Sequence, residues 1–149
     1  MITEITATHC IKEVEELHQF FQDWFSGSLP KTDDAFARFA DTLNASFSIV
    51  GPDGKITQHA DLLKGLHAAH NAGAFKIWIE NAVARQLNAD LWMVLYEEWQ
   101  VRNEEQTVRQ STVLFGRNPK TPNGVEWLHV HETWLGGKEY SFDYTDKPA

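Results

Sequence analysis

Residues 125–135, V-E-W-L-H-V-H-E-T-W-L, form the stretch from which the fold of this chain is best inferred. Successive side chains of a β-strand point to opposite sheet faces. The stretch therefore divides into a mostly apolar set, Leu128, Val130, Glu132 and Trp134, and a more polar set, Trp127, His129, His131 and Thr133. The apolar set suits a core, so the pattern predicts a strand with Glu132 inside and His131 outside.

The segments before this strand predict three helices and five further strands. Apolar residues recur at helical spacing over residues 8–25, Thr32 or Asp33 can cap a second helix, and a third helix is predicted over 60–71. A G-P-D-G turn at 51–54 predicts a short hairpin between the second and third helices. Long strands are predicted at 75–86, 91–102, 107–117 and 125–135, joined as an antiparallel meander.

Composition limits the class of protein. The chain has 149 residues, 42% of them hydrophobic, and a formal net charge of -8. We expect one domain over 1–149 with a polar, loose tail at 136–149. Nucleic acid is not an expected partner, because phosphate binding requires clustered Lys and Arg. No basic, apolar leader and no membrane-length apolar run is visible, so we expect a cytoplasmic protein without membrane contact.

Helices first and a long antiparallel sheet afterwards indicate an α+β fold with the helices on one sheet face. This order resembles the nuclear transport factor 2-like (cystatin-like) superfamily, and the last strand is similar to that of its SnoaL-like branch through Gly124, Trp127, Val130, His131 and Trp134. The resemblance implies a cone-shaped curved antiparallel sheet packed on three N-terminal helices and enclosing a pocket. It also implies a homodimer formed through the sheet.

The chain departs from the ketosteroid isomerase members of that superfamily at their catalytic positions. Those relatives carry a carboxylate base before the proline of the first hairpin turn, where this chain has Gly51 before Pro52. Their phenol donor on the first helix falls near Phe20 or Phe21, which cannot donate a hydrogen bond. We therefore do not expect isomerisation by that route.

The side chains of the pocket depend on the turn between the second and third long strands. A two-residue turn at Glu104-Glu105 would pair Val101 with Val108 and place alternate residues of both strands inside. The predicted catalytic residues are then Glu132 and Glu97, and the predicted ligand-binding residues are Gln110, Thr112, Trp134, Trp99 and, from the first helix, Trp24. A change of one residue in this turn would instead bring Trp92, Tyr96 and Glu98 inside and turn Glu97 out.

The two carboxylates have two interpretations. In one low-dielectric cavity they would raise each other's pKa and form an acid/base pair. Alternatively, they pair with Arg102 or Arg109 and serve only structure. The pairs His129-x-His131 and His67-x-x-His70 have no further ligands at metal-site spacing, so no metal and no other cofactor is expected.

Two functions follow from these observations. The first is a SnoaL-like pocket protein that binds a small hydrophobic ligand, with cofactor-free acid/base catalysis of the isomerase, cyclase, dehydratase or hydrolase type. The alternative is a non-catalytic ligand-binding or oligomerisation module. Trp127, Trp92 and Phe115 are expected to form an aromatic outer face through which the homodimer assembles.

Overall fold

The protein was analysed as a computed structural model, which describes residues 4–136. Its helices are α1 (Ala7–Phe25), α2 (Asp33–Ala40) and α3 (His59–Ala68). Its strands are β1 (Leu43–Val50), β2 (Ile56–Gln58), β3 (Lys76–Asn88), β4 (Leu91–Arg102), β5 (Glu105–Arg117) and β6 (Val125–Trp134). The predicted elements are all present, with bounds that differ by a few residues. The predicted loose tail lies outside the described residues, apart from Gly136.

The first two helices begin at threonine caps. The Thr6 side chain accepts a hydrogen bond from the His9 backbone N–H, and the Thr6 N–H donates to His9 Nδ1 at 3.0 Å. Thr32, one of the two predicted caps, accepts from the Ala35 N–H at 3.1 Å. Between residues 4 and 136, no helix is long and apolar enough to cross a membrane.

The six strands form one sheet in the order β2-β1-β6-β5-β4-β3. Neighbouring strands are antiparallel except β1 and β6, which are parallel. The three helices pack against this curved sheet, and α1 lies mainly against β3. The predicted α+β class is therefore confirmed, with the parallel β1–β6 pair as a detail that alternation did not indicate.

The predicted turn between β4 and β5 was wrong by one residue, and the predicted pairing was therefore wrong by two. The turn lies at Asn103-Glu104, where both residues have positive φ, 52° and 67°. Two positive φ values are typical of the type I′ turn, which matches the twist of a hairpin. Val101 consequently pairs with Gln106 rather than with Val108. The pairing moves by two positions, so the same side chains stay together on each face. What was wrong is the choice of the inner face: Val94 and Tyr96 belong to the core under the helices, and Glu97 lies on the other face.

A bulge in β6 changes the face of its first residues. Leu114 pairs with His129 and Phe115 pairs with Trp127, so Leu128 is an extra residue on β6. Trp127 therefore joins Val130 and Glu132 on the inner face. The predicted aromatic outer face was wrong: Trp127 and Phe115 are buried in the core at a ring separation of 4.8 Å, and Trp92 packs against the same core.

Candidate functional site

A cavity of about 200 Å³ lies between the helices and the concave face of the sheet. It is smaller than most small-molecule pockets, which measure roughly 300–1,000 Å³. Most of its wall is apolar and comes from all three helices and from β1, β3 and β6: Leu17, Phe21, Phe25, Phe39, Leu43, Phe47, Ile49, Leu62, Leu66, Phe75, Ile77, Trp127 and Val130. The cavity therefore suits a compact and mainly hydrophobic occupant.

Five polar side chains converge on one part of this wall. His18 comes from α1, Glu98 and Gln100 from β4, Arg109 from β5 and Glu132 from β6. The observed register places Glu98 directly opposite Arg109 and Ser111 opposite Glu132. Four ionisable groups thus meet at the polar end of an apolar cavity, in a cluster formed by His18, Glu98, Arg109 and Glu132.

His18 and Glu98 form a buried ion pair. His18 Nε2 lies 2.8 Å from Glu98 Oε1, and His18 Nδ1 lies 2.6 Å from the Val14 carbonyl oxygen. A carbonyl oxygen can only accept, so Nδ1 carries a proton. Burial alone would lower the pKa of His18, but the hydrogen bond and charge of Glu98 outweigh it and raise that pKa. Burial likewise opposes ionisation of Glu98, but the charge of His18 lowers its pKa to about 2.

Arg109 connects the two carboxylates. Its Nη1 donates to Glu132 Oε1 at 3.2 Å, and its Nε lies 3.5 Å from Glu98 Oε2. The guanidinium also lies over the ring of Trp134, 4.7 Å from its centroid. Despite these neighbours, the buried Nε–H has no hydrogen-bond partner among the described residues.

Glu132 is the carboxyl of the cluster whose pKa is raised. Burial and the nearby charge of Glu98 raise its pKa to about 7, and Arg109 opposes this rise. Its Oε2 also accepts a hydrogen bond from the Ser111 hydroxyl at 3.4 Å. A carboxyl with such a pKa is present in both protonation states in neutral solution, as general acid/base chemistry requires.

The structure separates the residues that were predicted to line the site. Glu132 lies in the cavity wall, and Trp134 lies at the mouth, where its Nε1 donates to Asp53 at 2.8 Å. Glu97, Trp99, Gln110 and Thr112 do lie together on one sheet face, but the cavity is on the opposite face, which carries Tyr96, Glu98 and Arg109. Trp24 is buried among the helices and donates to the Leu66 carbonyl oxygen at 2.8 Å. The roles predicted for these residues stay predictions.

His18, Glu98 and Arg109 were not among the predicted site residues. Glu98 was the predicted alternative to Glu97. Asn103 was an available signal for the turn, since asparagine tolerates positive φ better than glutamate does, but the turn does not decide which of the two faces is the inner one. The predicted alternative of an Arg109–Glu132 ion pair is confirmed at 3.2 Å. His18 could not be placed from the sequence, because it lies 80 residues from its partner Glu98. His131 is exposed and lies outside the cavity wall, as predicted.

Several solved structures share the fold of this chain. An NTF2-like protein of unknown function from Pseudomonas aeruginosa matches 86% of this chain and 99% of its own, with a TM-score of 0.76 and 22% identity. The CaMKII hub of S. rosetta matches 90% of this chain and 100% of its own, with a TM-score of 0.68 and 14% identity. These likenesses confirm the nuclear transport factor 2-like fold alone, and the SnoaL-like branch stays a prediction.

Sequence relatives are more specific. Sucrose-phosphatase 1 and sucrose-phosphatase 2 of Nicotiana tabacum are 29% and 30% identical to this chain over 129 residues, which is 84% of the chain. The chain spans 30% of the length of each of these relatives. The family model described as "Sucrose-6-phosphate phosphohydrolase C-terminal" matches residues 10–136. Since this match covers most of the chain, the protein belongs to the sucrose-6-phosphate phosphohydrolase C-terminal family.

Proposed function

We propose that this domain binds a compact, mainly hydrophobic small molecule in the cavity between helices and sheet, with Glu132 exchanging a proton at the polar end. The observation that carries the proposal is the placement of Glu132 and Arg109 at one end of an otherwise apolar wall. Few polar groups in an apolar cavity are the usual construction of a small-molecule site. The ligand would bury its apolar body and meet hydrogen-bonding groups at one end.

Two forms of this proposal differ in what happens to the bound molecule. In the first, Glu132 acts as general acid or base in cofactor-free chemistry of the SnoaL-like kind, which its pKa of about 7 supports. In the second, the ligand binds without reaction. Glu132→Gln separates them: catalysis would lose its turnover in this variant, whereas inert binding of an uncharged ligand would stay within a few-fold of wild type.

The relatives named as sucrose-phosphatases suggest how this domain would work within a longer protein. The matching segment corresponds to 30% of their length, and its family is named for a C-terminal part. We infer that in such a protein this domain contributes ligand binding, and that phosphate release belongs to the remainder of the longer chain. The isolated chain is therefore expected to release no phosphate from sucrose 6-phosphate.

Calorimetric titration with benzyl alcohol tests the cavity, because this probe combines a compact apolar body with one hydroxyl. We expect saturable binding to the wild-type chain and its loss in Ile49→Phe, which adds a ring to the cavity wall. The matched control is Ile56→Phe, since Ile56 is 60% exposed on β2 and lies outside the cavity wall. Equal binding to both variants, or no binding to wild type, would contradict the proposed site.

A second function, self-association, is favoured by the outer sheet face. Val83 and Leu95 pair across β3 and β4, and they are 63% and 40% exposed. Large apolar side chains grouped on a surface usually mark an association site. Among the similar structures are a CaMKII hub and the association domain of C. elegans CaMKII. We propose a homodimer through this face, here called the outer patch and formed by Val83, Met93, Leu95 and Leu114.

A further inference from the structure

Arg109 has more hydrogen-bond donors than its neighbours use. A guanidinium carries five N–H donors. Among the described residues only Nη1 donates, to Glu132, and the buried Nε–H has no acceptor in hydrogen-bonding geometry. A buried donor without a partner costs roughly 1–3 kcal/mol and calls for an explanation. The Nε atom is buried beside Glu98, but the side chain as a whole is 14% exposed and lines the cavity, so an occupant can reach the remaining N–H groups of the guanidinium.

The planar donor fork of arginine matches a carboxylate, which accepts two parallel hydrogen bonds. We propose that Arg109 anchors the carboxylate of a compact, apolar monocarboxylic acid, and that this anion enters the cavity only with a proton held on Glu132. The inference rests on the proposed function and specifies its ligand class. The apolar wall formed by residues such as Phe21, Phe39 and Val130 would hold the body of the acid.

The charges around the site support a single negative charge on the ligand. With Glu132 protonated, the cations His18 and Arg109 face the one anion Glu98, which leaves one positive charge. With Glu132 ionised, the cluster is neutral and a ligand carboxylate would meet a second anion. Three other groups lie near Glu132. The Ser111 hydroxyl donates to it, and burial raises the pKa of the Tyr96 phenol well above its usual value. Asp53 accepts a hydrogen bond from Trp134, whose ring lies against Arg109. Arg102 lies at the cavity mouth and is exposed.

Titration with benzoate at pH 6 and pH 8 tests the inference, with benzyl alcohol as the uncharged probe of similar shape. Benzoate stays ionised over this range, so a change in its affinity reports on the protein. If binding needs protonated Glu132, the competent fraction falls about tenfold between pH 6 and pH 8, and the affinity for benzoate falls with it. The affinity for benzyl alcohol should change less than twofold.

Glu132→Gln is the decisive variant, because glutamine can still accept from Arg109 but does not titrate. We expect it to bind benzoate with less than threefold change between the two pH values. A tenfold loss that persists in this variant would overturn the role of Glu132 and indicate titration of His18 instead.

Arg109→Met should weaken benzoate binding at pH 6 by at least tenfold, and circular dichroism checks that the variant is folded. The matched control is Arg85→Met, which removes an exposed arginine from β3 and should change nothing. Should Arg109→Met not fold, the Glu132→Gln comparison decides. Binding of benzyl alcohol without benzoate at pH 6 would overturn this inference alone, whereas failure of both probes would also remove the proposed function.

Discussion

Glu132 links the cavity to the stability of the fold through its protonation. Its pKa is about 7 in the folded protein, against a usual value of 4.5, because burial and Glu98 disfavour the ionised form. Between these two values the folded state binds more protons than the unfolded state, so stability falls as the pH rises from 4.5 to 7. The shift corresponds to a loss of up to about 3 kcal/mol. Urea unfolding should show this loss in wild type and not in Glu132→Gln.

The matched control for that measurement is Glu126→Gln on the same strand. Glu126 is partly exposed and accepts a hydrogen bond from Asn44 at 3.1 Å, away from the cavity wall. This variant should keep the wild-type loss between pH 4.5 and 7. Other groups contribute their own pH dependence in all three proteins, so the difference between wild type and each variant is the quantity compared. An equal slope in wild type and Glu132→Gln would contradict the assigned pKa.

The pairing of the strands explains which parts of the site could be predicted. The existence and order of the helices and strands follow from local periodicity, and Glu132 was placed inside because its own strand alternates cleanly. Both faces of β4 and of β5 carry apolar side chains, so alternation alone does not decide which face is the inner one, and Glu97 was placed inside where the structure has Glu98. The bulge at Leu128 is likewise set by strand pairing, and no residue pattern in β6 indicates it.

A second buried charge, Glu13 of α1, joins several elements behind the cavity. Its carboxylate accepts two hydrogen bonds from Arg38 of α2, at 2.8 and 3.2 Å. It also accepts from Asn123 in the β5–β6 connection at 2.9 Å and from Trp127 Nε1 on β6 at 2.8 Å. Since Trp127 lines the cavity, this cluster fixes one wall of the site.

Arg38→Met should destabilise the fold by about 3 kcal/mol, because it leaves the buried Glu13 carboxylate without its cation. Lys12→Met, on the helix α1 that also carries Glu13, is the matched control. It removes the exposed Lys12–Glu16 pair at 3.8 Å and should cost less than about 1 kcal/mol. Chemical unfolding of both variants measures the two costs, and similar values would contradict a structural role for the Glu13 cluster.

At the level of the whole molecule, one face of the sheet lines the cavity and the other faces away from it, and the two faces carry different residue types. The concave face holds the charge cluster, whereas the convex face presents the outer patch, with Val83 and Leu95 at its most exposed point. The exposed apolar side chains are the observation behind the proposed homodimer, in which two copies would cover this patch. The aromatic residues predicted to form it, Trp127 and Phe115, are instead core residues.

In the proposed homodimer, Leu95→Lys should convert the dimer into a monomer, because it would place like charges from both copies in an interface formed by apolar side chains. Sedimentation velocity at micromolar concentration measures the change. Ile56→Lys is the control, since Ile56 is as exposed as the outer patch but lies on the edge strand β2, at the far end of the sheet from β3. We expect this variant to stay dimeric. A monomeric wild type, or equal dissociation of both variants, would show that the outer patch does not hold two copies together. Loss of the dimer in Leu95→Lys alone would place the interface on the convex face. The cavity, on the concave face, would then stay accessible to its ligand in the dimer.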